Sequence, residues 1–326
     1  MQKPMLHRPR RLRMNPRIRD MVRETRVTAD DLIYPMFVTH ETEAEAPILS
    51  MPGCYQYGLG KIGEACKRVQ DAGVPAVILF GLPKDKDAKG SSACDPRGVI
   101  AKAIEAIKKS CSSLVVMTDV CLCEYTSHGH CGILDGENIL NDETVEMLCK
   151  EAIMHANAGS DVIAPSDMMD GRVGAIRSAL DDAGHIYTPI MSYAVKYASG
   201  FYGPFRDAVE SAPSFGDRRS HQMDPPNRLE ALRQARLDVE AGADILMVKP
   251  GVPYLDVIRD LKNEFDLPLA AYNVSGEYSM IKAAAEKGWL DEKRVVLEIM
   301  NSFKRAGVDM VLTYHALDVA RWLQED

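Results

Sequence analysis

Ala241-Gly-Ala-Asp-Ile-Leu-Met-Val-Lys-Pro-Gly251 holds the repeating unit of the chain in one stretch. Ala241-Gly242 reads as a helix stop, because glycine just past a helix accepts the left-handed conformation that ends it. Ile245-Leu-Met-Val248 is a short unbroken apolar run, the pattern of a parallel strand covered on both faces. Lys249 closes that strand and Pro250 stops it. The same punctuation recurs at Ala72-Gly73 before Val-Pro-Ala-Val-Ile-Leu-Phe, Ala158-Gly159 before Ser-Asp-Val-Ile-Ala-Pro, Ala183-Gly184 before His-Ile-Tyr-Thr-Pro-Ile-Met, and Ala306-Gly307 before Val-Asp-Met-Val-Leu-Thr-Tyr.

Working outward, eight strands are expected at about 32–38, 76–81, 114–119, 161–165, 188–192, 244–249, 268–273 and 309–314, with helices between them such as 141–158 and 226–241. The first of these helices opens on the polar Asn141-Asp142-Glu143-Thr144 and carries Val145, Leu148 and Ile153 as its apolar positions. Eight βα units close a barrel. The expected fold is therefore α/β, a (β/α)8 TIM barrel over residues 31–326 preceded by an extended N-terminal arm over 1–30. An open doubly wound sheet competes, but no Gly-rich dinucleotide fingerprint follows an early strand.

With 326 residues, 46% hydrophobic and 26% charged, one large domain can bury its core. The net charge of −8 argues against nucleic-acid binding by bulk electrostatics. Eight arginines nevertheless crowd the first 26 residues: Arg8, Arg10, Arg11, Arg13, Arg17, Arg19, Arg23 and Arg26. They read as a solvated or subunit-docking arm ahead of a polyanion site or transit peptide. No apolar run reaches the roughly 18 residues that span a bilayer, and the N-terminus lacks a secretory apolar core, so a cytoplasmic protein without a membrane partner is expected. Eight cysteines are too sparse for a disulfide scaffold. Five of them, Cys54, Cys66, Cys94, Cys111 and Cys149, read as small buried or surface residues.

In such barrels the reactive groups sit where strands end and the following loops begin. Asp119 and three cysteines then follow the third strand, Asp167 the fourth and Lys196 the fifth; Lys249 closes the sixth, Ser275 follows the seventh and Tyr314 closes the eighth. All converge on one mouth. Cys121, Cys123 and Cys131 lie within Asp119-Val-Cys-Leu-Cys-Glu-Tyr-Thr-Ser-His-Gly-His-Cys-Gly132, where Gly129 and Gly132 permit a tight loop. Three thiolates facing one ion leave a fourth tetrahedral position open, the catalytic arrangement for zinc. Plain burial or a redox pair are the alternatives, and His128 and His130 rank below the thiols as ligands.

A lysine ending an apolar strand is ordinarily a salt-bridge partner. Here Lys196 and Lys249 belong to successive strands, which lie only about 4.8 Å apart. Desolvation and a neighbouring cation both disfavour the ammonium, so free amine becomes available near neutral pH and can attack a ketone to form an imine. Phe201-Tyr-Gly-Pro-Phe-Arg206 and Phe215-Gly-Asp-Arg218-Arg219 fall in a long irregular stretch before the next helix, the pattern of a lid. Arg206 and Arg218 there can each clamp a carboxylate.

At this point the chain resembles the porphobilinogen synthase, or 5-aminolevulinate dehydratase, family from about His7 to Tyr314. The resemblance rests on segments 117–132, 164–177, 193–208, 215–223, 247–251 and 273–280. It implies condensation of two 5-aminolevulinate molecules into porphobilinogen with loss of two waters, in the pathway to haem and other tetrapyrroles. It also implies Lys249 as the main Schiff-base lysine, Lys196 as its partner and possible second imine, and Cys121, Cys123 and Cys131 as ligands of a catalytic Zn2+, assisted by Asp119. Tyr202, Arg206, Arg218 and Gln222 fall on the lid, while Ser275 and Tyr314 bind the carboxylate of the imine-held molecule. A homo-octamer joined by N-terminal arms comes with the family.

Two positions depart from its pattern. Ser220 stands where some relatives place a cysteine that forms a second zinc site. Gln234 stands where others bind allosteric Mg2+ through a glutamate, and a neutral amide holds a hard dication less well. A class I aldolase-like barrel with one imine lysine and no metal is the rival enzyme, and the cysteine trio argues against it. A non-catalytic zinc-binding scaffold leaves the paired lysines unexplained.

Overall fold

The glycine of every Ala-Gly stop has positive φ, from 85° at Gly73 to 109° at Gly307, so the punctuation read in the sequence is conformational fact. The computed structural model describes residues 5–325. Eight parallel strands form the barrel: β1 (Leu32–Thr39), β2 (Ala76–Leu82), β3 (Val115–Val120), β4 (Val162–Pro165), β5 (Met191–Lys196), β6 (Ile245–Lys249), β7 (Leu269–Asn273) and β8 (Met310–Thr313). The path runs β4-β3-β2-β1-β8-β7-β6-β5. A parallel bridge between Ile163 and Ile190 closes the ring.

Strand alternation splits the core in two. Leu32, Tyr34, Met36 and Val38 of β1 pack beneath the surrounding helices, while Ile33 and Phe37 point inward with Phe80, Met117, Met247, Tyr272 and Tyr314. The interior is thus a packed, aromatic-rich column, and the only way to place polar chemistry there is at its rim.

The fifth strand begins at Met191, later than the expected 188–192. Pro189 has no N–H to give a ladder, and the Thr188 N–H turns back to the His185 carbonyl at 3.1 Å. Lys196 consequently ends β5 and does not lie in the loop beyond it. Asp119 likewise lies within β3, and Tyr314 just past β8. The helix at Asn141–Ala158 has the expected bounds, and the one expected at 226–241 is Leu229–Glu240.

Of the arm, residues 5–30 are described; its short helices Pro9–Leu12 and Pro16–Met21 bury nothing, and Met5, Leu6, Met14 and Met21 are exposed. Among the described residues no helix is long and apolar enough to cross a membrane.

Candidate active site

Lys249 points into the barrel because Leu246 and Val248 face the helices and Met247 faces inward. Asp119 points inward for the same reason, two residues beyond Met117. Lys196 needs a further device. Ile245 and Leu246 pair with Met191 and Ser192, yet Val248 pairs with Val195 and Lys249 with Lys196. β5 therefore uses two residues, Tyr193 and Ala194, opposite Met247 alone. This bulge turns Val195 out among the helix-facing residues and re-aims Lys196 at the barrel mouth.

The Lys249 ammonium nitrogen lies 4.4 Å from the Tyr272 ring centre, 5.0 Å from Phe205, 5.2 Å from Tyr193 and 5.3 Å from Tyr202. Burial in this aromatic cage, and then the charge of Lys196, bring its pKa down to about 7. Lys196 behaves oppositely. Burial pulls it down, but the clustered thiols Cys131, Cys121 and Cys123, with Asp119, outweigh that and leave it above its ordinary value. Its ammonium donates to the Ser166 carbonyl. The two lysines thus differ: burial and the neighbouring cation depress Lys249, whereas the clustered thiols and Asp119 outweigh burial at Lys196.

The sulfurs of Cys121, Cys123 and Cys131 lie within 4.8 Å of one another, and all three are buried. Cys131 is held well below the usual thiol range by hydrogen bonds from Cys121 and Cys123, whereas sharing those bonds raises Cys121. Three buried sulfurs competing for protons form a soft-donor set that fits zinc. Beside them, the Ser166 hydroxyl donates to Asp119 Oδ2 at 2.9 Å, and Asp119 Oδ1 has no partner. Burial, and then the Glu124 carboxyl, push Asp119 up to about 8. His128 and His130 aim ring nitrogens at the Ala88 and Phe215 carbonyls, each at 3.1 Å, away from the thiol cluster. Lys249, Lys196, Asp119, Cys123, Arg206 and Arg218 line one enclosed cavity of about 10 Å³.

The sequence profile of the delta-aminolevulinic acid dehydratase family matches residues 6–322. The delta-aminolevulinic acid dehydratase of Halalkalibacterium halodurans is 56% identical over 319 residues, covering 98% of this chain and 97% of the relative. That of Bacillus subtilis is 54% identical over 319 residues, covering 98% of each. The crystal structure of the Toxoplasma gondii ME49 delta-aminolevulinic acid dehydratase (porphobilinogen synthase), in complex with its product porphobilinogen, superposes with a TM-score of 0.96 at 46% identity, covering 99% of this chain and 93% of that one. The chain belongs to the delta-aminolevulinic acid dehydratase family. It is accordingly an enzyme of porphobilinogen synthesis on a TIM barrel.

In this member of the delta-aminolevulinic acid dehydratase family the irregular stretch between β5 and the helix Leu229–Glu240, the expected lid, lies against the cysteine loop. Arg218 is buried and donates to the Gly129 and Ser211 carbonyls, both at 2.7 Å, so it straps the lid to the cysteine loop. The contact is close: a Cβ on Gly129, whose φ is +70°, would stand 2.6 Å from the Ala212 carbonyl oxygen. Arg206 is half-buried, and the Nε atoms of Arg206 and Arg218 both lack a partner, so each guanidinium keeps a donor for a carboxylate. Tyr202 donates to the Tyr197 carbonyl at 2.7 Å.

Five predicted residues lie outside the small cavity's lining: Cys121 and Cys131, of whose trio only Cys123 reaches it, and Ser275, Tyr314 and Gln222. Ser275 accepts the Phe205 N–H at 2.9 Å, Tyr314 shares a 2.8 Å hydroxyl contact with Tyr272, and Gln222 lines a neighbouring cavity of about 510 Å³ with Ser220, His221 and Gln234. Sequence reasoning missed the cage aromatics Tyr193, Phe205 and Tyr272, together with Glu124, whose Oε2 lies 3.3 Å from the Cys123 sulfur. Glu124 had a legible signal, an acid beside a metal-type cysteine; the aromatics read as ordinary core.

Proposed function

We propose that Lys249 holds one 5-aminolevulinate as an imine while its neighbour Lys196 stays protonated, and that the second 5-aminolevulinate is joined to the first in the same cavity to give porphobilinogen. The observation that carries this reading is the pairing of a caged, depressed-pKa lysine with a cationic one in register on adjacent strands.

The Lys249 amine adds to the ketone carbon, and the resulting carbinolamine loses its hydroxyl as water while C=N forms. Lys196 and the protonated Asp119 carboxyl are the proton donors within the lining of the same cavity. The imine acidifies the adjacent carbon, so that carbon–carbon and carbon–nitrogen bonds to the second molecule can form. Transfer of the C=N to a substrate amine frees Lys249, and the second ketone oxygen leaves as the second water. Holding both reactants makes the encounter intramolecular, worth up to several kcal/mol of barrier, about 7 or more in well-oriented cases.

Zinc, when bound by Cys121, Cys123 and Cys131, supplies Lewis-acid polarisation of a carbonyl or a bound hydroxide. Arg206 and Gln222 serve the second molecule's carboxylate from the lid, and Ser275 and Tyr314 that of the imine-held molecule. A cavity of about 10 Å³ admits neither substrate, so the lining side chains move apart as substrates enter and Arg218 closes the lid over them. Gln234 supplies a neutral amide where a hard dication needs a carboxylate, and we assign magnesium no activating role. The Arg-rich arm, whose Met5, Leu6, Met14 and Met21 are exposed, joins subunits of a cytoplasmic homo-octamer. Incubating zinc-replete protein with 5-aminolevulinate and detecting the pyrrole by colour tests the reading. Pyrrole formation is expected; a zinc-replete, folded protein that makes none would overturn it.

A further inference from the structure

Behind Tyr314, on the helix side of β8, lies a donor cluster that the active site leaves unused. Glu292 opens the helix Glu292–Ala306, His315 follows β8, and Asp318 lies in the first turn of the helix Ala316–Glu325. One ligand atom from each falls within 4.8 Å of the others. His315 is fully buried, and neither of its ring nitrogens has a hydrogen-bond partner. Its Nδ1 stands 4.0 Å from Glu292 Oε1, so the ring is aimed into the cluster. Burial, and then the charge of Lys282, keep it neutral, the form that ligates metals.

A tethered cation already marks the position. Lys282 Nζ lies 2.5 Å from Glu292 Oε1 and 3.4 Å from Asp318 Oδ2, while Arg321 holds the other Asp318 oxygen at 2.7 Å. The lysine stem is flexible, and a surface cavity of about 410 Å³ opens beside it, lined by Pro52, Ala285, Glu286 and Leu290. Withdrawal of the ammonium would leave two carboxylate oxygens and one imidazole nitrogen facing a common point. Bonds of about 2.1 Å to a shared ion require the three atoms to draw in from the 4.8 Å within which they lie.

We propose that Glu292, His315 and Asp318 form a second metal site, for a divalent first-row ion such as Mn2+, in which Lys282 is a built-in competitor for the same oxygens. One imidazole and two carboxylates favour Mn2+, Fe2+, Co2+ or Zn2+ through nitrogen and oxygen, a donor set distinct from the thiol trio. An ion there ties the starts of two helices to the end of β8. It thereby stiffens the segment that carries Tyr314 and packs His315 against Tyr278, whose ring centre lies 4.4 Å away.

Titrating the full-length, zinc-saturated protein with Mn2+, followed by the loss of the free-ion EPR signal, tests this site without reference to turnover. Lys282→Met should bind Mn2+ several-fold more tightly than the parent, because the competing ammonium is gone. His315→Phe and the half-exposed Asp318→Asn should each weaken binding by more than the roughly 10-fold typical of losing an outer partner of a ligand. Co2+ at this site should show visible ligand-field bands without the near-ultraviolet sulfur charge transfer of the cysteine cluster. Lys282→Met that binds no more tightly than the parent, or His315→Phe and Asp318→Asn that bind as well as it does, would overturn the proposal.

Discussion

Lys196 and Lys249 stand opposite each other as register partners at the ends of β5 and β6, and they are chemically unlike. Lys249 sits among four aromatic rings that offer no compensating carboxylate contact. Lys196 faces the sulfurs and Asp119. The same side chain is thus a nucleophile in one strand and a fixed positive charge in the next, and the second helps make the first.

Imine formation should therefore follow the deprotonation of Lys249, rising with pH through about 7. In Lys196→Met the neighbouring cation is gone, so the Lys249 pKa climbs back towards 10.5 and the rising limb moves to higher pH, by on the order of one unit. Single-turnover imine formation across pH measures this. A limb that stays in place would mean that Lys196 does not tune its partner.

Removing Lys249 should exchange activity for stability. A lysine whose folded pKa lies below its ordinary 10.5 is protonated more readily in the unfolded chain, so it destabilises the fold increasingly as pH falls from 10.5 to about 7. Lys249→Met should be inactive yet more stable at pH 7, by at least about 1 kcal/mol, with the advantage shrinking as pH approaches 10. Denaturation at matched protein concentration checks it; an unchanged or lowered stability at pH 7 would show that the cage accommodates the ammonium without strain.

Much of this was legible in the chain. The Ala-Gly stops located the strands because glycine at positive φ is a local requirement that sequence records directly. The cysteine trio was legible because its members are close in sequence as well as in space. The start of β5 was misplaced because Ile-Tyr-Thr-Pro-Ile has strand composition, and only the missing N–H of Pro189 excludes its first part. The bulge at Tyr193-Ala194 left no sequence mark at all, since simple alternation from Met191 would have sent Lys196 outward. The two bonds that one Arg218 nitrogen gives to the Gly129 and Ser211 carbonyls left no sequence mark, because a sequence does not show which carbonyls fold back onto a guanidinium.

Arg218→Ala should free the lid from the cysteine loop. Both 2.7 Å bonds to backbone are lost, and charge-assisted bonds of this kind are each worth about 1.5–3 kcal/mol. Limited proteolysis should then cut within residues 209–228 much faster than in the parent, and kcat/KM should fall by at least about tenfold. Equal protease resistance would place the latch elsewhere.

Zinc removal by a chelator should abolish turnover, and added zinc should restore it. Cys131→Ser should lower zinc content in the purified protein while leaving the barrel folded, because the buried cluster loses its most acidic thiol. Full turnover after verified metal removal would reject the metal role of Cys121, Cys123 and Cys131.

The central claim is that Lys249 is the residue that captures the substrate. Radiolabelled 5-aminolevulinate, borohydride reduction and peptide mapping test it most directly. The label should appear on the peptide containing Lys249, persist in Lys196→Met and vanish in Lys249→Met; label found on Lys196 alone, or retained in Lys249→Met, would contradict the account.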